Sequence, residues 1–120
     1  MTKPEPYKTV IVVRKDLELP TGKWIAQAVH AALRVQKTSM FHQEYLNDDE
    51  YLPICIVCYV KKESDFEKLK KKCDENYVQY AVQYDAGYNH VPAGTPTCMC
   101  IGPAPVSLVD KATKRLQLLK

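Results

Sequence analysis

The segment YKTVIVVR, residues 7–14, is a β-branched run of strand length. Its apolar character is nearly continuous, which is typical of a strand that is covered on both faces. We therefore predict that it forms the first and central strand of a sheet. Pro20-Thr21-Gly22 then interrupts the chain, and residues 23–37 carry apolar side chains at helical spacing. A buried strand followed by a helix predicts an α/β fold.

The helix predicted for residues 23–37 has two distinct faces. When its residues are placed at about 100° each, four polar side chains fall in one narrow stripe. They are Lys23, Gln27, His30 and Arg34. The apolar side chains lie opposite, and we expect them to pack on the sheet. They are Ile25, Ala28, Val29, Ala32 and Leu33.

The rest of the chain alternates between strand and helix patterns. First come a short helix around Phe41, Tyr45 and Leu46 and a strand at 53–60. A helix then begins at a capping box formed by Ser64 and Glu67 and runs to about Glu75. Strands at 77–84 and 95–101, the connection Gly102-Pro103-Ala104-Pro105 and a helix at 106–116 complete the chain. This order predicts an α/β single-domain three-layer sandwich, with a four-stranded mixed β-sheet and helices on both faces. We expect residues 1–6 to be a short flexible tail and residues 7–120 to form the domain.

Composition narrows the class of protein. The chain has 120 residues, of which 46% are apolar, and a net charge of +3. These values favour one globular core, and the charge is too small to identify an anionic partner. No segment offers the roughly 18 uninterrupted apolar residues of a membrane span. The first ten residues also lack the apolar centre of a signal peptide, so we expect a soluble, cytoplasmic protein with no membrane partner.

The cysteines do not indicate a metal or redox site. There are five of them, an odd number in a chain without a secretory signal, which argues against a disulfide framework. Cys55 and Cys58 have C-x-x-C spacing, but positions three apart in a strand point to opposite faces. The histidines lack metal-ligand spacing. We therefore expect no metal site and no redox function.

Lys23 and Asp85 are the charged residues that local structure explains least. Lys23 lies in the first turn of its helix, where the helix dipole disfavours a cation, and its ammonium could form an anion site with the free N–H groups there. Asp85 follows a predicted strand and precedes a glycine loop, where a strand end would hold a carboxylate rigidly. Two alternatives stay open: a solvated helix face for Lys23, and a turn aspartate that accepts backbone N–H bonds for Asp85.

Three ordered strings carry a resemblance to a known family. They are VIVVRKDLELPTGKWIAQAVHAAL at residues 10–33, DAG at 85–87 with PAGTPT at 92–97, and IGPAPVSLVDKATKRLQLL at 101–119. Their kind and spacing resemble the type II peptidyl-tRNA hydrolases, small archaeal and eukaryotic enzymes that cleave the ester between a peptide and its tRNA. Between about Val35 and Glu75 the resemblance is limited to the pattern of strands and helices.

The resemblance implies an enzyme that releases free tRNA and peptide from peptidyl-tRNA without a metal or an organic cofactor. Asn89 stands where the family usually has threonine, and its amide can still donate and accept a hydrogen bond. The residues expected at the site are Lys23, Asp85, Thr97, Asn89 and His30 as catalytic groups, and Gln27, Arg34, Lys15 and Thr95 as substrate-binding groups.

Ester hydrolysis needs a positioned water, a group that takes its proton, and donors where negative charge develops on the carbonyl oxygen. We expect Asp85, kept anionic by Lys23, to orient or deprotonate the water. Lys23 and backbone N–H groups near Gly22 would stabilise the oxyanion. His30 is the second candidate for the base.

The acceptor stem of the tRNA is expected to cross a basic patch of Lys15, Lys23 and Arg34, and a homodimer is compatible with the sequence. Two other functions stay open. Asn89 and the unmatched centre of the chain are compatible with a non-catalytic module that binds tRNA or a protein, and the cysteines with a thiol-dependent redox protein. The hydrolase hypothesis requires Lys23 and Asp85 to meet in three dimensions.

Overall fold

The computed structural model of the chain describes residues 5–37 and 52–120. The elements in these ranges are β1 (Tyr7–Arg14), a short 3-10 turn (Lys15–Leu17), α1 (Thr21–Gln36), β2 (Ile54–Val60), α2 (Glu63–Glu75), β3 (Tyr80–Tyr84), β4 (Pro96–Pro105), α3 (Val106–Thr113) and β5 (Gln117–Leu118). The short helix predicted around Phe41, Tyr45 and Leu46 lies outside the described residues. No helix in the described part of the chain has the length and apolar character needed to span a membrane.

The sheet is mixed, with the strand order β3-β4-β1-β2-β5. β1 lies at its centre, parallel to β2 and antiparallel to β4, which confirms the predicted central strand. The prediction of four strands is wrong, because the sheet has five. The fifth, β5, pairs Gln117 and Leu118 with Tyr59 and Cys58 of β2. Two residues are too few to show an alternating pattern, so only the meeting of the chain end with the edge of β2 defines this strand.

Helices cover both faces of the sheet, as predicted. α1 packs on one face, against a cluster that includes Ile11, Val13, Cys98 and Cys100. α2 and α3 pack on the other face, around Val10, Val12, Phe66, Met99 and Val109. The nearly continuous apolar run of β1 is therefore explained by burial on both sides.

The face of α1 that packs on the sheet is only partly the predicted one, since Ala28 and Ala32 pack there and the larger predicted residues do not. Ile25, Val29 and Leu33 are 61%, 51% and 49% exposed, whereas Gln27 is only 3% exposed. The sheet-facing side consists mainly of alanines together with two larger residues: Trp24, Ala28, Ala31, Ala32 and Val35. Because alanine side chains are short, this side of the helix can approach the sheet closely. The most hydrophobic face and the packed face of α1 are therefore different.

Several predicted boundaries also differ from the structure. β4 continues through residues 102–105, which were predicted to be a connection. The pairing of β4 with β3 ends where Tyr80 lies opposite Ile101. Pro103 and Pro105, which follow Ile101 in β4, therefore interrupt no hydrogen bonds between these two strands. α2 begins at Glu63 without a side-chain cap, so the capping box at Ser64 is wrong. α3 ends at Thr113 and β3 begins at Tyr80, both shorter than predicted.

Gly102 has the least room for a side chain in β4. Its φ is +93°, and a Cβ there would overlap the backbone carbonyl oxygen of Lys8. Because the obstacle is backbone, no side-chain rotation relieves the overlap. We expect Gly102→Ala to lower the free energy of unfolding by about 2–5 kcal/mol, measured by urea denaturation.

Gly94→Ala is the matched control for this prediction. Gly94 also has a positive φ, +83°, but nothing lies within 4 Å of a Cβ placed there. This variant should therefore show only the conformational cost, about 1–2 kcal/mol. Equal losses in the two variants would mean that the contact with Lys8 contributes nothing.

Candidate active site

Lys23 and Asp85 meet in the folded chain. Lys23 comes from the first turn of α1 and Asp85 directly follows β3. Their Nζ and Oδ1 atoms are 2.6 Å apart, and the two side chains are 22% and 2% exposed. The required convergence is confirmed, and a buried charge-assisted hydrogen bond of this kind is about twice as strong as a neutral one.

The loop after β3 fixes the second oxygen of the carboxylate. Asp85 Oδ2 accepts a hydrogen bond from the Gly87 N–H at 2.7 Å. The backbone of Asp85 is also held, since its N–H donates to Thr95 and its carbonyl oxygen accepts from Gly94, each at 2.8 Å. Gly87 has a φ of +86°, and a Cβ there would lie 2.6 Å from the Ala93 nitrogen. The glycine of the DAG string is therefore required by the loop conformation.

This environment keeps Asp85 charged. The hydrogen bond from Lys23 is the main reason why the pKa of Asp85 lies below its ordinary value of 3.8. Burial raises the pKa, but the Gly87 N–H and the charges of Lys23 and His90 lower it further. At neutral pH the site therefore contains a carboxylate and not a carboxylic acid.

Gln27 connects Asp85 to Thr97. Its Nε2 atom lies 3.2 Å from Asp85 Oδ1 and 2.9 Å from Thr97 Oγ1. Both Gln27 and Thr97 are buried, at 3% and 0% exposure. A buried glutamine on the sheet-facing side of a helix is costly unless its amide is hydrogen-bonded, and these contacts meet that requirement.

A β-bulge brings Thr97 to Gln27. β3 and β4 pair Gln83 with Cys98 and Tyr84 with Pro96, so Thr97 is an extra residue in β4 at this point. By strict alternation Thr97 would face the same side as Met99, which packs in the cluster under α2 and α3. The bulge turns Thr97 toward α1 instead, which is a recurrent use of bulges beside functional sites.

Gln83 is the residue of this cluster that the sequence did not single out. Its side-chain oxygen accepts a 2.6 Å hydrogen bond from Arg34 Nε, and its backbone carbonyl accepts a 3.2 Å bond from Thr97 Oγ1. Gln83 is 7% exposed. The sequence feature that could have indicated Gln83 is its position as a polar residue inside a strand pattern, on the face opposite Val82.

The other predicted site residues lie farther out. His30 is exposed, and the Asn89 side chain contacts the ring of His90 at 2.6 Å. The Thr95 hydroxyl donates to the Pro92 carbonyl at 2.7 Å. Lys15 Nζ lies 4.6 Å from the centre of the Tyr59 ring on β2, three strands from β3 in the sheet order. Among the described residues, no hydrogen bond or ion pair joins His30, Asn89 or Lys15 to the Lys23–Asp85 pair.

The cysteines are free thiols. Burial raises the pKa of three of them, Cys73, Cys98 and Cys100, to about 12. Such thiols are poor nucleophiles at neutral pH, which weakens the redox hypothesis. Within residues 5–37 and 52–120, no group of three or more His, Cys, Asp or Glu side chains could hold a metal ion.

Comparison with known proteins gives one consistent family. The family model described as peptidyl-tRNA hydrolase PTH2 matches residues 7–119. The chain is 37% identical to a peptidyl-tRNA hydrolase of Thermococcus onnurineus, with 94% of this chain and 98% of that protein covered. It is 39% identical to a peptidyl-tRNA hydrolase of Sulfurisphaera tokodaii, with 93% and 98% covered.

A solved structure shows the same fold at low sequence identity. It is a protein of unknown function from Agrobacterium tumefaciens strain C58, with a TM-score of 0.61 and 13% identity over 95% of this chain and 98% of that chain. At this identity the likeness concerns the fold alone.

Proposed function

Because the chain belongs to the peptidyl-tRNA hydrolase PTH2 family and hydrolyses the ester of peptidyl-tRNA, we propose that the reaction takes place at the Lys23–Asp85 pair. The observation that carries this proposal is the 2.6 Å contact at the end of β3 between the partly exposed ammonium of Lys23 and the buried carboxylate of Asp85. The non-catalytic binding module is not favoured, since the curated relatives are named as hydrolases. We propose that the reaction takes place in the cytoplasm, because peptidyl-tRNA is formed during translation.

Asp85 is proposed to hold the attacking water. The water donates a hydrogen bond to the carboxylate, and this proton passes to the carboxylate as the water oxygen attacks the ester carbonyl carbon. The bond from that carbon to the tRNA ribose oxygen then breaks, and the proton is returned to the ribose oxygen as the alcohol forms. Because the pKa of Asp85 is lowered, the carboxylate is a weak base, and orienting the water contributes more than removing its proton.

Lys23 is proposed to stabilise the negative charge that develops on the carbonyl oxygen. Its side chain is partly exposed, whereas Asp85 behind it is almost completely covered. The α1 helix begins at Thr21 without a side-chain cap, so the N–H groups of Thr21 and Gly22 also point out of the helix end beside Lys23. An ammonium and uncapped helix N–H groups together form a binding site for an oxyanion.

We propose that the tRNA approaches along the polar side of α1. Arg34 uses Nε to bind Gln83, which leaves the two Nη groups, without partners among the described residues, to bind phosphate. Asn89 would hold the ribose by its amide, in the loop that follows Asp85. Lys15 contacts the tRNA in this scheme only if the bound molecule extends as far as β2, where Lys15 lies against the Tyr59 ring.

The pH dependence of turnover tests which group holds the water. Because the pKa of Asp85 lies below its ordinary value, its carboxylate form persists at pH 3.8 and is lost only as the pH falls further, through the lower folded-state pKa. With peptidyl-tRNA as substrate, we expect kcat/KM to show no inflection between about pH 5 and 8. An inflection within this pH range that disappears in His30→Ala would assign the base to His30 instead. The same pH profile is measured for His90→Asn as a control, because the charge of His90 also lowers the pKa of Asp85.

A further inference from the structure

We propose that Thr97 acts on the reaction only through Gln27 and Asp85, and does not contact the substrate. The side chains of Thr97, Gln27 and Asp85 form a chain of hydrogen bonds, which we call the relay. The groups at its two ends decide which atoms donate and which accept. The inference rests on the proposed function, since it requires Asp85 to hold the attacking water.

The first end of the relay is a backbone carbonyl. Thr97 Oγ1 lies 3.2 Å from the carbonyl oxygen of Gln83, and a carbonyl can only accept. The single hydroxyl hydrogen of Thr97 is therefore used in this bond. Toward Gln27, at 2.9 Å, Thr97 Oγ1 can only accept. Thr97 thus has no hydrogen left to donate to a water or to a ribose.

The other end of the relay is the carboxylate. Ionised Asp85 can only accept, so the Gln27 atom that faces it must be the amide nitrogen. The two hydrogens of this NH2 group serve Thr97 and Asp85, one each. Turning the amide by 180° would place its oxygen against the carboxylate and break both bonds. Thr97 therefore sets the orientation of Gln27, and Gln27 helps to set that of Asp85.

The relay also selects the oxygen of Asp85 that holds the water. A carboxylate oxygen accepts about two hydrogen bonds. Oδ1 receives two, from Lys23 and Gln27, whereas Oδ2 receives one, from the Gly87 N–H. The remaining acceptor position is on Oδ2. We assign the attacking water to Oδ2, with Oδ1 as the oxygen that anchors the carboxylate.

Thr97→Val is the direct test, because valine keeps the shape of threonine and lacks both hydrogen-bonding functions. The bond from Gln27 is lost and Asp85 is no longer fixed, so kcat for peptidyl-tRNA should fall about 10- to 100-fold. KM should change less than about twofold, since Thr97 does not touch the substrate. Thr97→Ser keeps the hydroxyl and should restore kcat to within a few fold of the wild-type value.

Thr113→Val separates the relay from a general loss of stability. Thr113 is a buried threonine whose hydroxyl also donates to a backbone carbonyl, that of Val109 at 2.9 Å, but it lies in α3 on the opposite face of the sheet. This variant should lower the melting temperature to an extent similar to Thr97→Val and leave kcat unchanged. An equal fall of kcat in both variants would overturn the proposal.

A double-mutant cycle with Gln27→Met completes the test. Gln27→Met removes both N–H groups of the relay, so adding Thr97→Val to it should lower kcat no further. Additive losses, or a rise in KM as the main effect of Thr97→Val, would show that Thr97 acts on the substrate directly. If Thr97→Val leaves kcat unchanged while Asp85→Asn abolishes turnover, the relay is wrong and the proposed site stands. If Asp85→Asn is itself harmless, the proposed site is wrong.

Discussion

Asp85→Asn is expected to lower kcat for peptidyl-tRNA hydrolysis by about 10²-fold or more. Asparagine has the size of aspartate and one acceptor oxygen, so contacts with Lys23 or Gly87 can persist in part. It lacks the negative charge, and its NH2 group donates where the carboxylate would accept a hydrogen from the water. The loss is measured directly by separating peptidyl-tRNA from free tRNA at successive times of the hydrolysis.

Asp110→Asn is the matched control for this variant. Asp110 also forms a close ion pair with a lysine, Lys8, with an oxygen-to-nitrogen distance of 2.7 Å, but this pair joins β1 to α3 away from the site. Its loss should cost about 1 kcal/mol of stability or less, because Asp110 is 43% exposed. Turnover by Asp110→Asn should equal that of the wild type. Unchanged hydrolysis in Asp85→Asn would remove the carboxylate from the mechanism.

Lys23→Met is expected to lower kcat by about 10²- to 10³-fold, the range found when one donor to an oxyanion is removed. The variant also leaves the Asp85 carboxylate buried without its cation, so its pKa should rise toward or above 3.8, the ordinary value. We therefore expect the remaining activity to gain an acid limb at higher pH than in the wild type. A pH–rate profile of the variant measures both effects.

Two further substitutions sharpen this prediction. Lys8→Met removes a lysine from an ion pair of nearly equal length and should leave turnover unchanged. Lys23→Arg keeps the positive charge but replaces a compact ammonium by a planar guanidinium, and should recover only part of the activity. Full activity in Lys23→Met would show that the oxyanion is stabilised by other groups.

The two predictions depend on an arrangement that the sequence indicated only in outline. Lys23 was singled out because a cation in the first turn of a helix opposes the helix dipole, and Asp85 because it follows a strand and precedes a glycine. Those local features do not specify a distance. The contact of 2.6 Å arises because α1 packs on the sheet face beside β3, which places the start of the helix at the end of that strand.

The packed face of α1 shows why periodicity alone was insufficient. The spacing of Ile25, Val29 and Leu33 predicted their burial, yet the sheet contacts the alanine side of the helix. Helical spacing states which residues share a face, but it does not state which face the sheet occupies. Gln27 could be buried only because Asp85 and Thr97, 58 and 70 positions later in the chain, supply partners for its amide.

The sequence by itself determined the order of the first four strands and of α1, α2 and α3, the burial of β1 on both faces and the family of the protein, because each depends on residues that are close in the chain or on ordered motifs. Only the tertiary structure decided the fifth strand, the bulge that turns Thr97 toward α1, and the hydrogen bonds that Gln27 donates to Thr97 and Asp85. These features depend on strand register and on pairs of distant donors and acceptors. A shift of one residue reverses the face of a strand side chain, and no local pattern within β4 records that shift.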